Sequence, residues 1–401
     1  MEWIPLLLLF GIWNLLSNVW LALIVCGGTA LIGILLILKP FRPKPRRIAI
    51  TALAAVLVAT VASVAGPRVY ENSLVKIGDG DMEIELDDYR PFGNNFNSRR
   101  GSTLAKTTDE PSTLSFADNL PRLDGATALY PLYAAFVRAV YPTGDRYRPY
   151  DPLEGTQAEG ERFTLAACSR TSGAFANLLD GHADVIFLMD VSEAQAAQAR
   201  DRGLKLEMTP IGREAFVFIV NAKNRVESLS QDEIRGIYSG EITNWRELGG
   251  ANGKIEAYQR PENSGSQTAL QKIMGDVPII EPKEEEIQSF MGGVYNAVAD
   301  YKNHRNALGY SFRFYIETML NDAELGKVKL LSVDGVAPTV ETIADGSYPF
   351  TDAFCAITVS NRPPATDADR ARAENARKLI DWILSAQGRE LVEKTGYVPL
   401  S

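Results

Sequence analysis

The chain has 401 residues, 46% of them hydrophobic and 23% charged, with a net charge of −9. The charge is divided unequally: residues 1–66 hold one acid and five bases, net +4, while residues 67–401 hold 49 acids and 36 bases, net −13. This acidity excludes a general nucleic-acid binder, which needs a basic face for the phosphate backbone. Three cysteines exclude a disulfide scaffold, and two histidines with no EF-hand spacing give no basis for a metal site.

Two apolar segments near the start of the chain match the length of a bilayer crossing, about 20 residues. Residues 20–38 and 48–66 carry no charge between them, and the intervening loop 39–47 (KPFRPKPRR) holds five bases. A short loop rich in bases usually lies on the cytoplasmic side of the membrane. A signal peptide has its bases before the apolar run, whereas here they follow it, so a cleaved signal peptide is the weaker interpretation. The sequence therefore predicts a multi-pass anchor over residues 1–66, with the rest of the chain outside the cytoplasm. Whether residues 3–16 also cross stays open.

The remaining chain alternates strand and helix patterns, which is typical of α/β architecture. A connector, 67–114, comes first; its role stays open, although MEIELDDY (82–89) predicts a strand. The pattern then predicts, in chain order, a helix at 129–142, a strand at 163–169, a helix at 173–181, a strand at 183–189, a helix at 191–203, a strand at 215–221, helices at 228–240 and 264–275, strands at 306–312 and 352–360, and one long helix or a broken pair at 371–396.

Three loop-to-helix openings carry the chemistry. They are DGATALYP (124–131), with Thr127 as the expected helix N-cap, SRTSGAF (169–175), with Thr171 and Ser172 opening a helix, and RPENSGSQTAL (260–270), with Arg260 before a serine and glycine start. A helix N-terminus offers free N–H donors and partial positive charge, and arginine adds a planar fork that matches oxyanions. Ser/Thr caps are commonly structural, but three such openings in one α/β region favour an anion site at the carboxyl ends of the strands.

These segments, together with IGREAFVFIVN, IRGIYSGEITNW and the closing LVEKTGYVPL, resemble the phosphate-binding proteins of bacterial phosphate ABC transporters, the PstS family. The resemblance covers roughly residue 120 to the C-terminus. It implies a two-lobed periplasmic binding protein type II fold, which would here follow two transmembrane helices. It also implies a phosphate held by N–H groups, hydroxyls, one arginine and one carboxylate that accepts the ligand's proton.

Carried over residue by residue, the resemblance assigns the phosphate ligands to Thr127, Ala128, Thr171, Ser172, Asp190, Arg260, Ser264, Gly265 and Ser266. Thr171 and Ser172 remain alternatives for one hydroxyl, and Ser266 stands where many members have threonine. Asp190 is the expected proton acceptor, with capping of the next helix as the alternative. For Arg260 the alternative is a plain salt bridge between lobes. A carboxylate can accept a hydrogen bond from protonated phosphate but repels fully ionised sulfate.

The sequence thus predicts a binding domain at 115–401, with lobe one at about 115–213 and 350–401 and lobe two at about 214–349. We expect a monomeric solute-binding protein, not an enzyme, without cofactor or metal, that delivers inorganic phosphate to ABC permease subunits. The alternatives left open are an oxyanion sensor that signals through its membrane helices, a phosphatase or phosphotransferase that would use the same pocket but lacks a nucleophile with an evident base, and a different tetrahedral oxyanion as ligand. Cys168 and Cys355 are expected to be buried free thiols, with pairing left open.

Overall fold

The computed structural model of the protein describes residues 86–89, 91, 104–142, 166–282, 291–299, 304–320 and 326–400. All of them belong to one compact unit, Lys76–Ser401. The predicted membrane helices at about 20–38 and 48–66, and the loop 39–47, lie outside these residues. Within the described ranges, no helix is both long enough and apolar enough to cross a membrane.

The strands form one mixed sheet and one short parallel pair. They are β1 (Leu123–Gly125), β2 (Val185–Leu188), β3 (Leu206–Asn221), β4 (Ser228–Leu229), β5 (Glu256–Ala257), β6 (Ala307–Phe312), β7 (Val328–Leu330), β8 (Ser332–Val333) and β9 (Thr351–Val359). The sheet has the spatial order β1-β2-β9-β3-β6-β5, with β7 also pairing with β3, and β4 pairs with β8. Strands β1 and β2 are parallel, whereas β9 is antiparallel to both β2 and β3.

Strand β3 links two parts of the sheet. Its residues 206–215 pair with β9, from Leu206 opposite Val359 to Ala215 opposite Thr351, with a register shift between Pro210 and Gly212 where proline lacks an N–H. Its residues 216–221 pair with β6 and β7 instead. We call β1, β2, β9 and residues 206–215 the first half-sheet, and β5, β6, β7 and residues 216–221 the second half-sheet.

The helices cover the faces of the sheet. They are α1 (Tyr130–Val140), α2 (Arg170–Asp180), α3 (Glu193–Asp201), α4 (Gln231–Ser239), α5 (Gly265–Met274), α6 (Met291–Ala299), α7 (Val340–Ala344), α8 (Asp367–Ile383) and α9 (Ala386–Thr395). Helices α2 and α3 join β2 and β9 in a cluster of buried apolar side chains that includes Phe175 and Ile186. Helix α5 packs against α4 and β6. The predicted α/β class is therefore confirmed, whereas the predicted lobe boundaries remain a prediction.

Side-chain caps set the starts of several helices. Ser192 and Ser230 each accept a hydrogen bond from the backbone three residues on, in complete capping boxes. Ser264 caps α5 in the same way, as the sequence indicated. Ser385 caps α9, so of the two predicted forms of the C-terminal segment, one long helix or a broken pair, the broken pair is confirmed.

Several boundaries differ from the sequence predictions because tertiary pairing overrides local pattern. Strand β3 begins at Leu206 instead of 215, since β9 supplies a partner for its first half. Helix α2 begins at Arg170, before the predicted residues Thr171 and Ser172. The strand predicted at 82–89 is wrong for Leu86–Tyr89, which form a 3₁₀ turn. In the strand predicted at 163–169, Ala166 makes a single bridge to Leu123.

Candidate functional site

A buried carboxylate, which the sequence did not single out, joins the first two loops. Asp124 is the middle residue of β1, is 1% exposed, and accepts hydrogen bonds from the backbone N–H groups of Gly125 at 2.8 Å and Ser169 at 2.7 Å. Its other oxygen accepts from the side-chain amide of Asn177 on α2 at 2.7 Å. Burial raises the pKa of Asp124, and these bonds act in the opposite direction. No local pattern in the sequence marks this role, because the donors on Ser169 and Asn177 come from a distant part of the chain.

The first loop differs from its predicted form. Thr127 does not cap the following helix: it opens a single 3₁₀ turn, Thr127–Leu129, and α1 then begins after Leu129 without a side-chain cap. The Thr127 hydroxyl lies 3.9 Å from the Cys168 sulfur, in the second loop. Ala128 is buried, and its carbonyl accepts a hydrogen bond from the Tyr397 hydroxyl. Because of this extra turn, the Thr127 hydroxyl does not sit at a helix N-cap. Thr127 lies half-buried, two residues after the end of β1.

The second loop separates its two candidate hydroxyls. Thr171 is 8% exposed. The Oγ1 atom of Thr171 lies so close to Gly265 that a Cβ added to this glycine would be only 3.0 Å from it. Ser172 is exposed, and its hydroxyl donates at 3.0 Å to the carbonyl of Asn263 in the third loop. Arg170 precedes them with φ of 62°, in the left-handed region. Thr171 thus points its hydroxyl toward the start of α5, while Ser172 already has a protein partner.

The third loop supplies a buried cation. The backbone N–H of Arg260 donates to the Tyr310 hydroxyl at 2.8 Å and to Gln267 Oε1 at 3.0 Å, which fixes the loop to β6 and α5. Burial lowers the pKa of the Arg260 guanidinium to about 10, Tyr310 and Tyr315 partly offset this, and nearby Arg170 lowers it further. A bound anion would raise the pKa of Arg260 again, because a nearby opposite charge favours the charged guanidinium.

Helix α5 presents its N-terminus beside that arginine. The Ser264 hydroxyl accepts from the Gln267 N–H at 3.2 Å, and its own proton can still be donated to another acceptor. Gly265 and Ser266 follow as the first helical residues, and Ser266 is 4% exposed. The start of α5 therefore combines two hydroxyls with the unsatisfied N–H groups of a helix N-terminus.

Asp190 lies at the carboxyl end of β2, opposite α5. One of its oxygens accepts from the Val191 N–H at 2.8 Å, and the other lies 3.5 Å from the Lys272 ammonium on α5. Lys272 also pairs with Asp352 at the start of β9. Since Ser192 caps α3, Asp190 is not the helix cap of the alternative interpretation. Asp190 and Gly265 line a common cavity of about 240 Å³.

The structure therefore brings the second and third loops into contact and joins the first loop to them through Asp124 and Cys168.

Two cysteines near this site, Cys168 and Cys355, are free and buried, as expected. Burial raises the pKa of Cys355 to about 11 and that of Cys168 to about 12, so both are protonated at neutral pH. Among the described residues, no group of three His, Cys, Asp or Glu could hold a metal ion. Helix N-termini, hydroxyls and one cation, as assembled here, are groups suited to an anion.

The chain is similar to proteins of known families. Residues 151–387 match the family profile of the PBP superfamily domain. The chain is 30% identical over 183 residues to the phosphate-binding protein PstS of Bacillus subtilis (strain 168), covering 45% of this chain and 54% of that protein. It is 23% identical over 322 residues to protein SphX of Synechococcus elongatus, covering 73% and 88% of the two chains. The chain spans little more than half the length of the Bacillus relative.

A solved structure is also similar. It is a putative phosphate ABC transporter substrate-binding protein from Clostridium perfringens with bound phosphate, at 23% identity and a TM-score of 0.49, covering 70% of this chain and 99% of that one. The resemblance to the PstS family indicated by the sequence motifs is confirmed by the curated relatives. The profile match covers more than half of the chain, and the chain therefore belongs to the PBP superfamily, with its periplasmic-binding-protein-like α/β fold.

Proposed function

We propose that this chain is an extracytoplasmic solute-binding protein that captures inorganic phosphate for an ABC-type transporter. The observation that carries the proposal is the meeting of two helix N-termini from different half-sheets beside one buried cation. Thr171 on α2 faces Gly265 on α5, and Arg260 lies in the loop that leads into α5. Donors that converge in this way match the several oxygens of a tetrahedral anion.

Each predicted residue has a distinct role in the proposal. Arg260 supplies the charge and the planar fork, and Thr171, Ser264 and Ser266 donate from their hydroxyls. Gly265 and Ala128 contribute backbone N–H groups, and Thr127 closes the site from the first loop. The Ser172 hydroxyl donates to Asn263. We therefore assign Thr171 as the ligand hydroxyl of the second loop and give Ser172 a supporting role.

Asp190 provides the selectivity in this proposal. An ionised carboxylate accepts the proton of hydrogen phosphate, whereas fully ionised sulfate has no proton to offer and is repelled. The Lys272 ammonium lies 3.5 Å from this carboxylate. Phosphate that carries a proton is therefore the oxyanion that this group of residues fits best.

We further propose that the two half-sheets belong to two lobes that close over the ligand, with lobe one at about 115–213 and 350–401 and lobe two at about 214–349. Hinge closure is the usual motion of two-lobed binding proteins. Residues 1–66 would anchor the domain to the membrane next to its permease subunits. The relatives named as phosphate-binding proteins support transport over the sensor alternative.

Equilibrium dialysis of the purified full chain against radiolabelled phosphate tests the proposal. We expect saturable binding of one phosphate per chain, competition by arsenate, and little competition by sulfate. Hydrolysis of a generic phosphate ester should be absent. A chain that retains no phosphate, or that releases it equally to sulfate, would remove the basis for a phosphate-binding function.

A further inference from the structure

Asn263 stands out in the third loop, between Arg260 and the start of α5. Its φ of 64° lies in the left-handed region, which asparagine tolerates better than most side chains but which glycine adopts most readily. The chain thus retains a side chain where the backbone favours glycine. This suggests that the side chain has contacts of its own.

Those contacts cross from the second half-sheet to the first. Asn263 Oδ1 accepts a hydrogen bond from the Ser192 hydroxyl at 2.7 Å, and the Asn263 carbonyl accepts from the Ser172 hydroxyl at 3.0 Å. Ser172 is on α2 and Ser192 caps α3, and both helices pack on the first half-sheet. One residue of the third loop therefore holds two helices on the opposite side of the site.

The two bonds differ in what their loss would cost. Ser172 is exposed, so water can replace its partner if the cleft opens. Ser192 is buried, at 5% exposure. Its hydroxyl oxygen accepts from the Gln195 N–H, and its hydroxyl proton is donated to Asn263. Opening the cleft must break this bond, and loss of the Asn263 acceptor while the cleft stays closed would leave a buried donor without a partner, which is costly.

We propose that Asn263 is a positioning residue whose two hydrogen bonds, to Ser192 and Ser172, hold the cleft closed and slow the release of the bound anion. We call this pair of hydrogen bonds the clasp. The ligand readout of this inference rests on the proposed phosphate function, and the clasp rests on the proposed pair of lobes but not on the identity of the ligand. Because the bonds form only when the two sides meet, they act on the closed state. Their loss should change the dissociation rate of the anion more than its association rate.

The test is Asn263→Gly in the full chain, because glycine keeps the left-handed backbone and the carbonyl and removes the side chain that carries Oδ1. The matched control is Asn119→Gly: Asn119 also has positive φ, 46°, and its carbonyl accepts from Asn375, away from the three loops. We expect phosphate to dissociate about 5-fold faster from N263G, the size of effect expected for one neutral hydrogen bond. The association rate should stay within about 2-fold, and N119G should match the parent chain.

A structural role alone would lower stability without opening the cleft, so a second readout is needed. Spin labels at exposed positions, introduced as Asp201→Cys and Lys223→Cys in a Cys26→Ser background, report the distance between the two sides without ligand. N263G should shift this distribution to longer distances, and Asn263→Asp, which keeps an acceptor, should restore it. A double-mutant cycle with Ser192→Ala should show coupling, with N263G having less effect when Ser192 is absent.

Two results separate the inference from the function it rests on. Phosphate binding with an unchanged dissociation rate in N263G would overturn the clasp and leave the function intact. If the parent chain binds no phosphate, the function fails, and the ligand-free distances decide the clasp alone. An unchanged distance distribution in N263G would then contradict it.

Discussion

Asp124 accepts a 2.7 Å hydrogen bond from the backbone N–H of Ser169, which ties the end of β1 to the residue that precedes α2. A bond between residues 45 positions apart sets two of the three loops in a fixed relation before any ligand arrives. The carboxylate accepts three bonds in total from Gly125, Ser169 and Asn177. Asp124 therefore organises the candidate site without being placed among its ligands.

Asp124→Asn tests that role. An asparagine has one acceptor oxygen and two N–H donors, so it cannot satisfy three incoming donors, and one would be left buried without a partner. We expect a loss of about 1–3 kcal/mol in the free energy of unfolding and weaker phosphate binding. Denaturant titration and dialysis measure the two effects. Parent-like stability and affinity would show that the two loops hold their relation without this carboxylate.

Arg260→Met tests the buried cation and predicts opposite effects on stability and binding. The lowered pKa of Arg260, about 10, means that the folded protein holds the charged form at a cost. Removing it should leave the thermal midpoint of the ligand-free protein unchanged or higher, and should weaken phosphate binding by at least about 100-fold, since a charge partner of a buried anion is lost. Arg260→Lys keeps the charge but loses the planar fork, so its phosphate affinity should fall between those of the parent chain and R260M. Phosphate binding by R260M at parent affinity would exclude Arg260 from the site.

Asp190→Asn tests selectivity. Without the negative charge, sulfate is no longer repelled, so the ratio of sulfate to phosphate affinity should rise by about 10-fold or more. The control is Asp352→Asn, which removes the other partner of Lys272 and should leave the ratio near its parent value. Competition dialysis gives the ratio. An unchanged ratio in D190N would place the proton-accepting group elsewhere.

Glu214→Gln tests a pH dependence of stability. Glu214 is 1% exposed in β3, and burial raises its pKa from 4.5 to about 7, with Arg313 and two backbone N–H groups acting in the opposite direction. Because the folded pKa is above the unfolded one, the folded state holds more protons between these values. Stability should therefore fall as the pH rises from about 4.5 to 7, by as much as about 3 kcal/mol from this group.

The glutamine variant lacks the proton that titrates. It should be more stable than the parent chain at pH 8 and should lose this slope, as measured by denaturant titration at pH 5 and pH 8. The parent chain and E214Q should come close together at pH 5. Parallel pH profiles for the two proteins would show that Glu214 does not titrate in this window.

The sequence predicted those features that depend on local pattern. The serine and glycine start at Ser264 was recognised as a helix opening because a hydroxyl before an apolar period is a local signal. The α/β class followed from alternating periods, and the three loops from their Gly and Ser/Thr composition. Arg260 was recognised from its place before the third helix opening, and Asp190 came from the family resemblance. The structure places both close to the same helix, α5.

The features that escaped prediction depend on distant partners. Nothing local in DGATALYP indicates that Asp124 receives the N–H of Ser169, and nothing in RPENSGSQT indicates that Asn263 receives the hydroxyl of Ser192. Thr127 was expected to cap a helix, but the 3₁₀ turn that intervenes depends on how β1 meets α1. Strand β3 extends back to Leu206 because β9, more than 100 residues later in the chain, pairs with it.

The central claim is that one tetrahedral oxyanion binds where α2 and α5 meet beside Arg260. Crystals of the full chain grown with arsenate, measured at the arsenic absorption edge, would locate the anion directly. The account predicts one anomalous peak within hydrogen-bonding distance of the Thr171 hydroxyl, the Arg260 guanidinium and the first residues of α5, Gly265 and Ser266. A peak at another place, or an empty site in a protein saturated with arsenate, would contradict it.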